Sequence, residues 1–296
     1  MRWTAKAATG DINPMAILSI QSHVAYGHVG NASAVFPMQR LGMEVWAIHT
    51  VQFSNHTGYG AWRGQVFDPG LISECVIGMA ERGVLGRCQA VLSGYMGSHE
   101  TGVAVLDALA RVRNANRGAR YACDPVIGDI GRGIYVRPGI PEFMRDQAVP
   151  AADIITPNQF ELGYLAGSTI ETMHDLVLAL EKVHATGPRI ILVTSLLLDD
   201  TPAQMIDLAV SHPGGLHRIR TSQLDCAVNG AGDAIAALFL VHQLRGDDPV
   251  RAMQMAGSSI HGLLRRTVEA GSREILTVEA QDEFVSPSMI FPVEPM

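Results

Sequence analysis

Short apolar runs alternate along the chain with longer runs in which apolar residues recur every three or four positions. Short runs are typical of buried strands, and the longer spacing is typical of helices that pack on a sheet. The pattern predicts strands at 16–20, 44–48, 90–92, 121–123, 153–155 and 190–193. It predicts helices at 31–41, 71–82, 101–112, 158–165, 176–183, 232–244 and 249–265. This alternation indicates an α/β fold with a doubly wound, mostly parallel central sheet flanked by helices.

Two further strand-like runs, 205–210 and 216–220, follow each other without a helix between them. A short connection of this kind is typical of antiparallel strands, so we predict an antiparallel hairpin at an edge of the sheet. No internal repeat or domain-scale linker interrupts the pattern, which predicts a single domain over residues 15–296. Residues 1–14 lack the apolar segment of a secretory signal and are predicted to be a flexible extension.

Polar residues collect directly after five of the predicted strands, in the stretches 21–31, 50–60, 93–98, 124–129 and 156–161. Turn and helix-cap chemistry explains any one of these clusters. Ligands, however, bind beyond the carboxyl ends of parallel strands, where all five clusters would meet. Their coincidence therefore predicts a binding pocket at that edge of the sheet.

The sharpest local signal is Asn229-Gly230-Ala231-Gly232-Asp233, which leads directly into an apolar helical run. Two glycines allow backbone amides to turn toward one point, and a helix N-terminus adds positive potential there. This combination predicts an anion hole for a phosphoryl group. Asp233 is either a helix N-terminal charge or a general base beside that hole. Ile235 occupies the third glycine position of the dinucleotide-binding fingerprint, which this segment therefore does not match.

Three acids lie in the loops after neighbouring strands: Asp124, Asp129 and Glu161. They are either solvated loop acids or hard oxygen ligands for Mg²⁺ that carries nucleotide phosphates, directly or through water.

Composition removes several classes of function. The chain has 296 residues with 22 basic and 29 acidic side chains, and its net charge of −7 argues against nucleic-acid binding. Only two of the basic residues are lysines, Lys6 and Lys182. Neither follows a glycine loop as in P-loop enzymes, and Schiff-base chemistry needs a buried lysine. The four cysteines have no metal-binding spacing and fit free thiols of a reducing compartment, and no apolar run is long enough to span a membrane.

The motifs resemble those of the pyridoxal kinases in the ribokinase-like superfamily, from about residue 16 to about residue 285. The strings that carry the resemblance are ILSIQSHVAYGHVGN, TVQFSNHTGYG, VLSGYMGS, CDPVIGD, DIITPNQFEL and NGAGDA. NGAGDA is common to the superfamily's small-molecule kinases, whereas the first two strings are typical of pyridoxal kinases. The resemblance implies ATP-dependent phosphorylation of the 5′-hydroxymethyl group of pyridoxal, with pyridoxine and pyridoxamine as alternatives, and hence vitamin B6 salvage.

The same resemblance implies ATP as co-substrate and Mg²⁺ as cofactor, and leaves a requirement for K⁺ open. It further implies a homodimer in the cytoplasm, without nucleic-acid or membrane partners. On the acceptor side, it implies that Ser22 hydrogen-bonds the pyridine ring, and that Thr57 and Gly58 line the vitamin site. His56 and Tyr95 would enclose the ring.

On the transfer side, the resemblance makes Asp233 the base that activates the hydroxyl, with the amides of Gly230, Ala231 and Gly232 stabilising the transferring phosphoryl. Asp124 and Glu161 would lie on the ATP–metal side. The other residues that the resemblance assigns to ATP are Thr156, Thr194, Ser195, Arg220, Thr221, Ser222 and Gln223. Many bacterial members carry lysine where this chain has Thr194-Ser195, so hydroxyls would contact the phosphates in place of an ammonium group.

Two other functions stay open at this point. A hydroxymethylpyrimidine kinase shares the glycine turn and its aspartate, although we would not expect TVQFSNHT in one. A non-catalytic vitamin B6-binding protein could retain the fold. An intact Asp233 beside the glycine turn speaks against the second alternative, because a binding protein has no use for a base aimed at an anion hole.

Overall fold

The computed structural model describes residues 15–296, so the predicted extension at 1–14 lies outside the described residues. The strands are β1 (Ala16–Val24), β2 (Glu44–Phe53), β3 (Gly64–Val66), β4 (Cys88–Ser93), β5 (Arg120–Cys123), β6 (Gly128–Asp129), β7 (Gly133–Ile134), β8 (Ile154–Ile155), β9 (Ile190–Leu196), β10 (Met205–His212), β11 (Gly215–Ser222) and β12 (Val293–Pro295). The helices are α1 (Asn31–Arg40), α2 (Pro69–Glu81), α3 (His99–Ala115), α4 (Ile140–Phe143), α5 (Val149–Ala151), α6 (Gln159–Ala166), α7 (Met173–His184), α8 (Ala231–Leu244), α9 (Pro249–Glu269) and α10 (Asp282–Val285). A 3₁₀ turn covers Thr57–Tyr59.

The described residues form one ten-stranded sheet in the order β12-β11-β10-β9-β8-β5-β4-β1-β2-β3. The six strands from β9 to β2 run parallel, and antiparallel strands extend the sheet on both sides. Because β2 and β4 lie on opposite sides of β1, the chain changes direction across the sheet at β1. Ligand crevices of doubly wound sheets lie at such a point.

Helices cover both faces of the sheet, as predicted from the alternation of strands and helices. Leu18 belongs to the same buried cluster as Val105 and Leu176 on one face, whereas its neighbour Ile17 belongs with Leu238 to the cluster on the other. Helix α8 is buried from Ala234 to Gln243, which explains why its apolar residues are not confined to one stripe. Each such leucine contributes about 1.5–3 kcal/mol through burial. The predicted doubly wound α/β class is confirmed.

Several strands extend beyond their predicted ends into polar residues. β1 continues to Val24 and β2 to Phe53, where His23 pairs with Gln52 in register and their side chains lie 3.1 Å apart. Polar side chains with partners on the neighbouring strand extend a sheet as well as apolar ones do. The polar stretches that were predicted to follow these strands are therefore partly strand themselves.

The antiparallel hairpin predicted near 205–220 is present as β10 and β11. The short strand β12 pairs outside it, so the outermost strand on this side comes from the C-terminal segment. A sequence pattern of three residues is too short to predict such a strand. Within residues 15–296, no helix has both the length and the apolar character needed to cross a bilayer.

Candidate active site

The glycine turn predicted as an anion hole leads directly into helix α8. Gly230 caps the helix in the left-handed conformation, with φ of 88°, which favours glycine. A Cβ on Gly230 would overlap the carbonyl of His28, and the Ser33 hydroxyl donates to the Gly230 carbonyl at 2.7 Å. Gly232 has open space around its Cα. One glycine is therefore required by the fold, and the other leaves room beside the first amides of α8.

Asp233 lies in the first turn of α8 and is half-buried. Burial raises the pKa of its carboxyl to about 6, while a hydrogen bond from the Gly30 backbone acts in the opposite direction. A carboxyl with this pKa is ionised near neutral pH and accepts a proton more readily than an ordinary aspartate. A carboxyl at this position and with this pKa is suited to act as a general base.

Asp124 follows β5, and its Oδ1 accepts a hydrogen bond from the Thr156 hydroxyl after β8, at 2.9 Å. Burial raises the pKa of Asp124 well above its usual value, and the charges of Glu161 and Asp233 raise it further. Charges act on the pKa of a neighbouring group mainly at short range, so the three carboxyls share one region. The structure therefore brings together the predicted base and the predicted ATP-side acids.

Glu161 has a structural task in addition to its charge. Its carboxylate accepts the amides of Ile127 and Asn158, each at 2.9 Å, and Asn158 accepts the Glu161 amide in return. This reciprocal capping box begins α6 and attaches the loop after β5 to it. Burial raises the pKa of Glu161 to about 7 in spite of these amides, which lower it.

Thr194 and Ser195 lie inside β9, which is longer than the predicted strand 190–193. The Thr194 amide donates to the Pro157 carbonyl at 2.9 Å, which places Thr194 beside the turn that holds Thr156. Ser195 is exposed and has a φ of 52°, an unusual conformation for a residue other than glycine. Backbone strain of this kind clusters at ligand sites, and here it coincides with a predicted phosphate contact.

The predicted vitamin residues come from three segments. Ser22 is buried at the end of β1 and packs against Gly30, whose left-handed backbone leaves no space for a Cβ. Thr57 and Gly58 form an exposed 3₁₀ turn, in which the His56 ring accepts the Gly58 amide at 3.2 Å.

Two rings flank this region. Burial lowers the pKa of His56; the nearby charge of Arg132 lowers it further, and that of Glu274 raises it. Burial raises the pKa of Tyr95, and the positive charge of Arg137 partly offsets this rise. Both rings therefore lie near the segment that follows β6, which the residue pattern did not assign to the vitamin side.

Arg220 has a partner that the sequence did not reveal. Its guanidinium makes two hydrogen bonds, of 2.6 and 2.7 Å, to the carboxylate of Asp207, whose side chain is fully buried. Next to it, Thr221 is buried, whereas Ser222 and Gln223 are exposed. Within residues 15–296, the four residues from Arg220 to Gln223 form no hydrogen bond with Asp124, Glu161 or Asp233.

Tyr135 was missed by the sequence reasoning. Burial raises the pKa of its hydroxyl, as do the charges of Glu161, Asp124, Asp129 and Asp233, in that order. Its hydroxyl therefore lies close to the acidic region, on the segment directly after β7, although the residue is half exposed. In the sequence, only the glycines around Tyr135 could have indicated a functional segment, since a single tyrosine forms no recognisable motif.

Among the described residues, no group of three or more His, Cys, Asp or Glu side chains is arranged as a complete metal site. Mg²⁺ that carries nucleotide phosphates needs only one or two carboxylates from the protein. Asp124, with Glu161 and Asp233 close by, fits that requirement. Two surface cavities, of about 400 and 610 Å³, adjoin α2 and contain no member of the candidate site.

Comparison with known proteins agrees with this geometry. The sequence model of the phosphomethylpyrimidine kinase family matches residues 71–278. A pyridoxal kinase PdxY of Granulibacter bethesdensis is 59% identical over 94% of this chain and 98% of its own length. A pyridoxal kinase PdxY of Rubrobacter xylanophilus is 55% identical over 94% of this chain and 96% of its own length.

A solved structure is similar over the same range. The pyridoxal kinase from Leishmania donovani in complex with ADP and pyridoxamine is 29% identical to this chain. It superposes with a TM-score of 0.88 over 95% of this chain and 99% of its own. The similarity therefore extends over nearly the whole chain.

Proposed function

Since this chain belongs to the pyridoxal kinase family, we propose that it transfers the terminal phosphoryl group of ATP to the 5′-hydroxymethyl group of pyridoxal. The products are pyridoxal 5′-phosphate and ADP. The chain is thus a phosphotransferase with an alcohol acceptor, and its activity serves the salvage of vitamin B6. The observation that supports this reaction best is Asp233, with a pKa raised to about 6, in the first turn of the helix that the glycine turn opens.

Phosphoryl transfer requires alignment of the two substrates and stabilisation of charge more than covalent chemistry. We propose that Asp233 accepts the hydroxyl proton while the amides of Gly230, Ala231 and Gly232 donate to the transferring phosphoryl group. The N-terminus of α8 adds favourable potential at the same point. The Gly30 hydrogen bond to Asp233, together with the packing of Gly30 on Ser22, connects the base to the acceptor side.

For the acceptor, we propose that Ser22 hydrogen-bonds the pyridine ring and that Thr57 and Gly58 line the site. His56 and Tyr95 would enclose the ring. The exposure of Thr57 and Gly58 supports this, because a turn that faces solvent is free to receive a ligand. Pyridoxine and pyridoxamine differ from pyridoxal only at the ring's 4-substituent, so the same contacts would accept them.

For ATP, we propose that Asp124 holds Mg²⁺, directly or through water, with Glu161 contributing charge beside it. Bound Mg²⁺ would neutralise charge on the phosphates. Thr156, Thr194 and Ser195 would contact the nucleotide from the ends of neighbouring strands. We propose that Thr221, Ser222 and Gln223 pass over the nucleotide, with the Arg220–Asp207 ion pair holding their strand in place.

The alternative substrate is hydroxymethylpyrimidine, because the matching family model is that of phosphomethylpyrimidine kinases. That match begins at residue 71 and leaves out both strings typical of pyridoxal kinases, which lie between residues 16 and 60. The 59% and 55% identical relatives include these strings in their aligned range and favour pyridoxal.

The test is an ADP-release assay with purified protein, ATP and Mg²⁺, run separately with pyridoxal, pyridoxine, pyridoxamine and hydroxymethylpyrimidine, with and without K⁺. We expect the largest kcat/KM with a B6 vitamer. Turnover of hydroxymethylpyrimidine alone would transfer the assignment to the other kinase. ADP release with none of the four, in protein that binds pyridoxal, would make the chain a binding protein.

We further propose that the protein is a homodimer that acts in the cytoplasm. The four cysteines are free thiols in the structure, which agrees with a reducing compartment. Light scattering coupled to size-exclusion chromatography would give about twice the chain mass of 31.8 kDa for a dimer. A single-chain mass at micromolar concentration would contradict the proposed assembly.

A further inference from the structure

Glu274 lies outside the motifs that define the active site, yet its carboxylate contacts two loops of that site. Its Oε1 accepts the hydroxyl of Tyr59, and its Oε2 accepts the backbone amide of His28 at 3.0 Å. These partners are separated from Glu274 by 215 and 246 positions in the sequence. One half-buried carboxylate thus joins two loops that are far from it along the chain.

The first loop is the turn Thr57–Tyr59, which carries two proposed vitamin contacts. Inside the turn, the His56 ring accepts the Gly58 amide, and the carbonyls of His56 and Thr57 accept the amides of Tyr59 and Gly60. Its outer end is held by Glu274, and the guanidinium of Arg273 lies 5.6 Å from the centre of the Tyr59 ring. Hydrogen bonding to Glu274 raises the pKa of Tyr59 to about 12, so its hydroxyl stays a donor at physiological pH.

The second loop connects Glu274 to the transfer side. Gly27 has a φ of 92°, and a Cβ on it would meet the carboxylate of Glu274, which shows how closely the two approach. The carbonyl of the next residue, His28, lies directly against Gly230 of the glycine turn. The backbone of Gly30, two residues further, lies close enough to Asp233 to lower the pKa of its carboxyl. The loop therefore runs from Glu274 to the anion hole and the base within four residues.

We infer that Glu274 is a positioning residue that holds the acceptor-binding turn at a fixed place relative to the anion hole and the base. This inference rests on the proposed function and adds to it a residue that touches neither substrate. A carboxylate with two acceptor oxygens suits this role, because it can accept from both loops at once. An apolar residue would let the two loops move independently.

The test compares Glu274→Ala with the wild type in the pyridoxal-dependent ADP-release assay. Hydrogen bonds to a charged group are stronger than those between neutral groups, so the loss of both predicts a rise of roughly ten-fold or more in the KM for pyridoxal. The KM for ATP should stay within about two-fold. Tyr59→Phe, which removes one contact, should raise the KM for pyridoxal by a smaller factor.

A double-mutant cycle separates the proposed coupling from a general loss of packing. Tyr59→Phe should have little further effect in the Glu274→Ala background, because its partner is already gone. Glu274→Gln keeps an acceptor oxygen and should give a KM between those of the wild type and the alanine variant. Glu279→Ala is the matched control, since Glu279 lies on the same segment, is exposed and carries the same charge. It should behave as the wild type.

Three results would overturn the inference: an unchanged KM for pyridoxal in folded Glu274→Ala, an equal rise in both KM values, or additive effects in the cycle. If Glu274→Ala does not fold, Tyr59→Phe decides, and an unchanged KM for pyridoxal in that variant has the same meaning. Failure of the proposed function would look different, because the wild type itself would then release no ADP with pyridoxal.

Discussion

Gly230 and Gly232 stand two residues apart in one turn, but their surroundings differ. Gly230 has a positive φ and touches the carbonyl of His28, so any side chain there is excluded by both the backbone conformation and the packing. Gly232 has neither constraint. The residue types are identical in the sequence, and only the structure separates the glycine that the fold needs from the one that has open space beside it.

Substitution of these glycines should therefore have two different outcomes. Gly230→Ala should lower the free energy of unfolding by more than about 1 kcal/mol, because alanine is strained where φ is positive. Gly232→Ala should not lower the free energy of unfolding, because alanine is the better helix former, but its methyl group would enter the proposed phosphoryl space and reduce kcat at least about ten-fold. Urea unfolding and steady-state kinetics on both variants check this. Equal destabilisation by the two would contradict it.

Asp233 should control the pH dependence of turnover. A base works in its ionised form, and the pKa of Asp233 is raised to about 6. Activity should therefore be full above that pH and should decline as pH falls through about 6. Asp233→Ala should reduce kcat by about 10²–10⁴-fold and leave ATP binding largely intact. Calorimetric titration with a nucleotide is the control for binding, and near-normal turnover in the variant would exclude Asp233 as the base.

At the scale of elements, two helices begin with the same local device. Asn158 and Glu161 form a capping box on α6, and Thr172 and Asp175 form one on α7. Only the first box has a second task, because the Asn158 side chain donates to the Gly128 carbonyl at 2.8 Å and Glu161 accepts the Ile127 amide. The cap of α6 therefore also holds the loop that carries Asp124.

Removing each cap should separate these tasks. Asn158→Ala and Thr172→Ala should each lower the free energy of unfolding by about 1 kcal/mol, the usual contribution of such a cap. The KM for ATP should rise several-fold in Asn158→Ala and stay unchanged in Thr172→Ala. Chemical unfolding and ATP-dependent kinetics measure the two effects. A KM for ATP that is unchanged in both variants would mean that the cap does not support the nucleotide side.

At the scale of the whole molecule, the sheet collects acids from separate segments into one region. Asp124 follows β5, Glu161 lies in α6 after β8, and Asp233 lies in α8. We propose that residues 15–296 form one domain, because the strands that position these acids belong to one sheet. Gathering like charges in a buried region opposes folding, and a bound cation relieves that cost.

This arrangement predicts how metal and pH affect stability. The pKa of Glu161 is raised from 4.5 to about 7, so the folded state binds the proton more tightly than the unfolded chain. Without metal, the contribution of Glu161 to the free energy of unfolding should be fully present below pH 4.5. It should be lost as pH rises toward 7. Mg²⁺ with nucleotide should reverse this loss. At a ligand concentration of one hundred times Kd, binding adds about 3 kcal/mol to the free energy of unfolding.

Thermal unfolding at pH 5, 7 and 8, with and without Mg²⁺ and nucleotide, checks this. Asp124→Asn removes one of the repelling charges, so its metal-free stability should fall less with pH and should respond less to Mg²⁺. Glu74→Gln serves as the control, because it removes one negative charge from an exposed position on α2. A wild type whose stability rises between pH 5 and 7 without metal would contradict the expected sign.

The sequence alone determined the features that depend on nearby residues. The alternation of strands and helices and the glycine turn before α8 were both predicted, because each is set within a few positions. The motif strings also identified the family. Only the tertiary structure decided the strand order, the pairing of β12, the partner of Arg220 and the contacts of Glu274. These depend on residues that meet across the fold, and neither periodicity nor spacing contains the free energy of packing that brings them together.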